Sequence, residues 1–319
     1  MNRRRSAMTL AAACALLLAL VLPAAAHTNG AGFGPGGGRP FAATSAWNSP
    51  IPANPTIDPG SAAMVANLSA VVNGKYRAAL LYEFGIPIWT ADRTYGTRLV
   101  DCTSPWGACQ LETAGQVPLT SAMTPHVGSD GAMVVVDYAK GDAYEYWQYN
   151  WNNGVPRTSW GGVTSNVHDG DGRGSGATGA GVSRLAGVVR VHEMQAGVIP
   201  HALVFSTSFC GTGEFRFPAT KTDGKYSGTG KVPEGARVQL DPSINVDAIP
   251  GITAAEKMVA RALQTYGAYN IDCGGSPMAI SFERPNPGQA DPYPGLGFTY
   301  DYYRMEKIPW GSLRVLTPP

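Results

Sequence analysis

The chain has 319 residues and a formal net charge of +1 at pH 7, and only 15% of its residues are charged, against about a quarter in an average soluble domain. Hydrophobic residues reach 44%, enough for a packed core, and the 40 Gly and 25 Pro follow no Gly-X-Y period, so collagen and global disorder do not fit. The near-neutral balance argues against nucleic acid as a partner, because that takes a clustered basic surface.

The N-terminus reads as a secretory signal peptide over residues 1–26. Arg3, Arg4 and Arg5 form a basic start, an apolar run follows from Met8 to Leu22, and Pro23 and Ala24 to Ala26 supply small residues for a cut after Ala26. The three arginines are its only charges; without them the 24 Lys and Arg become 21, against 23 Asp and Glu. Beyond this segment no apolar run is long enough to span a bilayer, so no membrane contact is expected after cleavage. Residues 27–40 are Gly-rich and read as a flexible lead-in. Residues 41–319 read as one β-rich domain, expected to be a monomer.

Helix signals are few. Ser61–Val72 carries apolar residues at helical spacing and closes on Asn73 and Gly74. Thr178–Val189 places Leu185, Val188 and Val189 on one face. Thr253–Tyr266 has Thr253 as N-cap, Glu256 three residues on, an apolar stripe through Met258, Val259, Ala262 and Leu263, and Gly267 as the stop. Strand signals are many and short. Ala132–Tyr138 and Tyr144–Tyr149 flank a turn and predict a hairpin. His201–Ser206, Ala236–Leu240, Ala268–Asp272 and Ala279–Glu283 are further runs bounded by turn formers. Regular strand–helix alternation is missing. The expected fold is mainly β: an antiparallel β-sandwich of the jelly-roll kind with two or three peripheral helices.

Once Cys14 leaves with the signal, Cys102, Cys109, Cys210 and Cys273 remain. Export favours two disulfides over a metal site, and no close Cys-x-x-Cys pair is present. The turn composition between Cys102 and Cys109 points to a local staple, which leaves Cys210 to pair with Cys273.

Tyr138, Tyr144, Tyr146, Trp147, Tyr149, Trp151 and Trp160 crowd into residues 138–160. Flat rings with a polar edge suit a groove that stacks on sugar rings, and equally suit a β core. On a regular strand, Glu145, Trp147 and Tyr149 face one way, and Tyr144, Tyr146 and Gln148 the other. A carboxylate beside Trp and Tyr makes Glu145 a candidate acid or base, and Asp137, on the other arm of the predicted hairpin, its candidate partner. Trp147, Trp151, Trp160 and Gln148 are the candidate sugar contacts. For elimination at a uronic acid, His201 at a strand end is the candidate base and Tyr146 the acid. Other carboxylates on or beside strands include Asp130, Asp223, Asp241, Asp272 and Glu283; Asp272 stands just before Cys273, Gly274 and Gly275, a tight spot that presents a side chain at a strand end. Asp169 and Asp171 resemble the opening of a calcium loop, but Ala180 stands where the closing Glu is required. No Gly-x-Ser-x-Gly, His-Glu-x-x-His or dinucleotide fingerprint occurs, and no cofactor or metal is called for.

The runs Gly174–Leu203 and Val232–Pro242 resemble stretches of exported actinobacterial proteins of unassigned activity. That resemblance implies export and a bacterial source, and transfers no site residue. Together these features predict a secreted enzyme that cleaves an extracellular polysaccharide, by hydrolysis or by elimination. The alternative is a non-catalytic carbohydrate-binding or cell-wall protein using the same aromatics.

Overall fold

The computed structural model describes residues 33–318 except 92, 93 and 95; the expected signal peptide and the first part of the lead-in lie outside the described residues. The rest of the lead-in belongs to the fold. Phe33 is buried against Tyr138 and His168, and the Arg39 guanidinium donates to the Pro200 carbonyl.

The described chain is mainly β, with four α-helices. Two sheets organise it. The larger has six strands, in the order Ala78–Leu80, Ala279–Ser281, Leu203–Thr207, Ala268–Cys273, Arg237–Leu240 and Leu313–Val315. The smaller has four, in the order Trp160–Ser165, Asp142–Trp147, Met133–Asp137 and Ile88–Thr90. Pairing is mixed where antiparallel pairing throughout was expected. Ala78–Leu80 runs parallel to Ala279–Ser281, Leu203–Thr207 parallel to Ala268–Cys273, and Ile88–Thr90 parallel to Met133–Asp137.

Period-2 alternation stacks the layers. In the six-stranded sheet, Leu203 and Phe205 face one core together with α1 (Ser61–Ser69) and α4 (Ala254–Thr265). Val204, Tyr269 and Ile271 face the opposite core, where they meet Val134, Val136 and Ala143 of the smaller sheet. Met133, Val135, Tyr144 and Tyr146 close a third cluster with Leu111 of α2 (Gln110–Ala114).

The caps follow the sequence where they are strong. Thr253 Oγ1 accepts the Glu256 N–H at 3.1 Å and Glu256 Oε2 accepts the Thr253 N–H at 3.0 Å, so α4 starts as predicted. The helix expected over Thr178–Val189 is irregular loop instead. Gly181 and Gly187 take φ of +67° and +65°, values incompatible with a right-handed helix. The helix comes just after, as α3 (Val191–Ala196), where Glu193 accepts the Arg190 N–H at 2.9 Å.

Candidate active site

The predicted hairpin forms, and its register separates the two carboxylates predicted on it. Glu145 pairs with Val134 and Asp137 with Asp142. Directly opposed residues share a face, and Asp137 lies three residues from Val134, so Asp137 and Glu145 point to opposite faces. Asp137 is buried and caps the turn, its Oδ1 accepting the Lys140 N–H at 3.0 Å. Glu145 is fully buried. It accepts from Thr164 Oγ1 at 2.8 Å, Ser175 Oγ at 2.6 Å, the Arg184 N–H at 2.9 Å, and Ser183 Oγ. It is an anchor for the loop that carries Arg184.

The predicted elimination pair is not brought together either. His201 is buried, with Nε2 3.0 Å from Glu193 Oε2 and Nδ1 2.9 Å from the Ala202 carbonyl. Burial opposes its charge, but the Glu193 carboxylate outweighs burial and keeps the imidazole pKa above its usual value. Tyr146 is buried in the third core cluster, edge-on to Tyr149, and burial pushes its hydroxyl pKa well up. Tyr149 reaches that same cluster because Gln148 adopts φ +55° and breaks the strand alternation. The Gln148 side chain accepts from Ser159 Oγ at 2.6 Å.

A cleft of about 790 Å³ collects a different set: His126, Asp130, Arg184 and Asp272, with Ser206 and Ser281, and with Lys75, Tyr76, Tyr302 and Arg304 also lining it. The elements that present these groups are short and well tied. Asp272 sits near the end of strand Ala268–Cys273, as the tight spot before Gly274 and Gly275 suggested, and its side chain is 31% exposed. Burial first, then Asp223 and Asp130, push its carboxyl up to about 6 against the pull of Arg184. Asp130 stands on a loop locked to the smaller sheet, with the Gln148 N–H donating to its carbonyl at 2.6 Å and the Tyr149 N–H to Gly131 O at 2.9 Å. Gly128 is required there: a Cβ would lie 2.7 Å from Phe84 Cε1 and 2.8 Å from Glu83 O. Arg184 Nη2 lies 3.9 Å from Asp272 Oδ2 and donates to the Ala177 carbonyl. His126 is 3% exposed, and burial and then Arg184 lower its pKa to about 4, so the ring is neutral at physiological pH. Its Nδ1 is buried without a hydrogen-bond partner among the described residues.

Of the predicted aromatics, Trp147 touches a residue that lines this cleft. Trp147 Nε1 donates to Asp130 Oδ1 at 3.4 Å. The Trp147 ring stacks on Trp106, centroids 6.0 Å apart and planes 18° from parallel, and Trp160 lies 5.4 Å from Trp106. Trp106 is 63% exposed on the Cys102–Cys109 disulfide loop. Trp151 is half-buried on strand Asn150–Asn152, under the Arg98 guanidinium, and packs on the third core cluster rather than on this platform. Trp106 is the platform residue that sequence reasoning passed over; it read only as part of a disulfide turn. Trp106→Ala is expected to weaken oligosaccharide binding about tenfold, the scale of one lost ring-stacking contact, with an unchanged Tm. Titration of tryptophan fluorescence checks this, and unchanged affinity refutes the platform.

Behind Asp272 lies a second carboxyl pair. Asp223 and Glu234 oxygens lie within 4.8 Å of each other and of the Cys210 and Cys273 sulfurs. The sulfurs are joined in a disulfide, so two carboxylates are the remaining donors, too few for a closed calcium or zinc shell. Glu234 is fully buried, and its Oε1 has no hydrogen-bond partner among the described residues. Burial foremost, then Asp223 and Asp272, raise its carboxyl to about 7. An acid whose pKa is raised on folding stabilises the fold less as pH climbs. Between about 4.5 and 7 the folded state holds a proton that the unfolded state has released. Glu234→Gln is therefore expected to flatten the pH dependence of unfolding by about 2 kcal/mol between pH 5 and 7.5, measured by urea titration. Equal slopes for both proteins refute the shift.

No protein-family model, curated protein or solved structure matches the chain.

Proposed function

We propose that this chain is a secreted carbohydrate-active enzyme that cleaves an extracellular polysaccharide in the cleft between Asp130 and Asp272. One observation carries the reading: two carboxylates and an arginine share a cleft, and one of those carboxylates, Asp130, is hydrogen-bonded to the part-buried Trp147, whose ring stacks on the exposed Trp106. Glycoside hydrolysis needs one carboxyl that holds a proton and one carboxylate that takes one. Asp272, raised to about 6, gives its proton to the glycosidic oxygen as the bond to the anomeric carbon breaks. Asp130 draws a proton from the water whose oxygen adds to that carbon. Trp106 and Trp147 hold the sugar chain by stacking. The basic start and apolar run of residues 1–26 support export.

The test is a panel of polysaccharides, scored for new reducing ends and for the ultraviolet absorbance of unsaturated uronate. Reducing ends alone, lost in Asp272→Asn, support hydrolysis. Reducing ends with the absorbance move the chemistry to the neutral His126 as base. Binding without any cleavage replaces the enzyme by a carbohydrate-binding protein.

A further inference from the structure

We propose that the cleft is built for an anionic polysaccharide, whose acidic groups are held by Lys75, Arg184 and Arg304. The inference rests on the reading of this cleft as a glycan site. Its first support is charge. Without the three N-terminal arginines the chain carries 21 Lys and Arg against 23 Asp and Glu. The cleft reverses that balance, with three cationic side chains against Asp130 and Asp272.

The second support is how the cations are held. Lys75 sits on a tight turn in which Asn73 and Gly74 take φ of +49° and +72°, and Val72 and Lys75 exchange backbone hydrogen bonds at 3.1 and 2.8 Å. No described acidic side chain forms an ion pair with it. Arg304 is stacked over the Tyr76 ring, 3.9 Å from its centroid, and its contact to Glu306 is a 3.6 Å pair between half-exposed side chains, which neutralises little. Arg184 is the inner cation, 11% exposed, with its Nε buried and without an acceptor among the described residues.

The third support is chemical. Asp272 at 3.9 Å is the counter-charge of Arg184. In the role of acid, Asp272 carries a proton and no charge. Arg184 then keeps its hydrogen bond to the Ala177 carbonyl but has lost the carboxylate charge beside it, and its side chain is only 11% exposed. A carboxylate or sulfate on the substrate restores the pair, and the planar guanidinium can donate two hydrogen bonds to the oxygens of either one. Neutral sugars offer no such group.

The experiment measures affinity and cleavage on matched polymers: polygalacturonate, alginate and hyaluronate, each beside its carboxyl-reduced form, with dextran sulfate and neutral xylan and cellulose oligomers alongside. At least one acidic polymer is expected to bind about tenfold or more tighter than its reduced form, and to lose affinity as salt rises. The double variant Lys75→Ala/Arg304→Ala is expected to lose about tenfold in affinity for that polymer while its Tm holds. A preference for carboxylated over sulfated polymer, or the reverse, identifies the anion. Equal affinity for acidic and reduced polymers, or an unchanged Kd in the double variant, overturns the proposal. A neutral glycan cleaved by the wild type and spared by Asp272→Asn would keep the cleavage reading and defeat this one. Acidic polymers bound through Lys75 and Arg304 but never cut would do the opposite.

Discussion

Asp272→Asn is expected to lower kcat by about 10²–10⁴-fold, the usual worth of a positioned acid or base. Stability should hold, because Asn keeps the side-chain oxygen that accepts the Cys273 N–H at 3.0 Å, and a substitution that removes no core packing costs roughly 0.5 kcal/mol or less. The pH profile supplies the sharper check. The acid acts while protonated, and its carboxyl is raised to about 6, so kcat/KM should be lost as pH climbs through that value. In Asp272→Asn the residual activity should lack that limb. If the variant retains wild-type turnover, Asp272 is not the acid and the carboxylate pair is refuted with it.

Glu145→Ala should produce the largest loss of stability. The carboxylate gathers three hydroxyls and one backbone N–H from residues 164, 175, 183 and 184. Removing it leaves these donors buried and empties the space between the smaller sheet and the loop. A loss of about 3–5 kcal/mol is expected, read as a fall in urea midpoint at constant slope. Glu145→Gln keeps the volume but cannot accept from all four donors, so it should be intermediate. Activity should fall together with stability in both, because the Arg184 backbone is displaced. A carboxylate that did the chemistry itself would lose turnover in Glu145→Gln with the midpoint unchanged, and that result would refute the anchoring role.

Much of the fold was legible. The Thr253 and Glu256 box, the hairpin around Lys140 and the apolar strand His201–Ser206 are local patterns, and local patterns are what a sequence displays. The site was legible in part. The placing of Asp272 at a strand end, before Cys273, Gly274 and Gly275, could be seen, and so could the aromatic density that includes Trp147 and Trp160. Glu145 drew attention because a carboxylate inside an aromatic strand is unusual, yet the serines that satisfy it arrive from a loop 30 and 38 residues further on. Nothing local reveals such partners. The φ of Gln148, just past the end of strand Asp142–Trp147, flipped Tyr149 to the other face, and one left-handed residue at a strand end is invisible to an alternating pattern. Arg184 and His126 escaped for a related reason. They are brought to Asp130 and Asp272 by the meeting of two sheets, which is a property of topology.

The two cystine bridges stand beside residues of the proposed site, and Cys109 is at the same time part of the third core cluster. One closes the loop that presents Trp106; the other ties Cys273, the neighbour of Asp272, to Cys210 across 63 residues of chain. The six-stranded sheet and its helices are packed by apolar side chains, and the second bridge also pins the end of one of its strands at Cys273. In the proposed function each bridge therefore supports a different part of the site, ring stacking beside Cys102–Cys109 and the proton donor beside Cys210–Cys273.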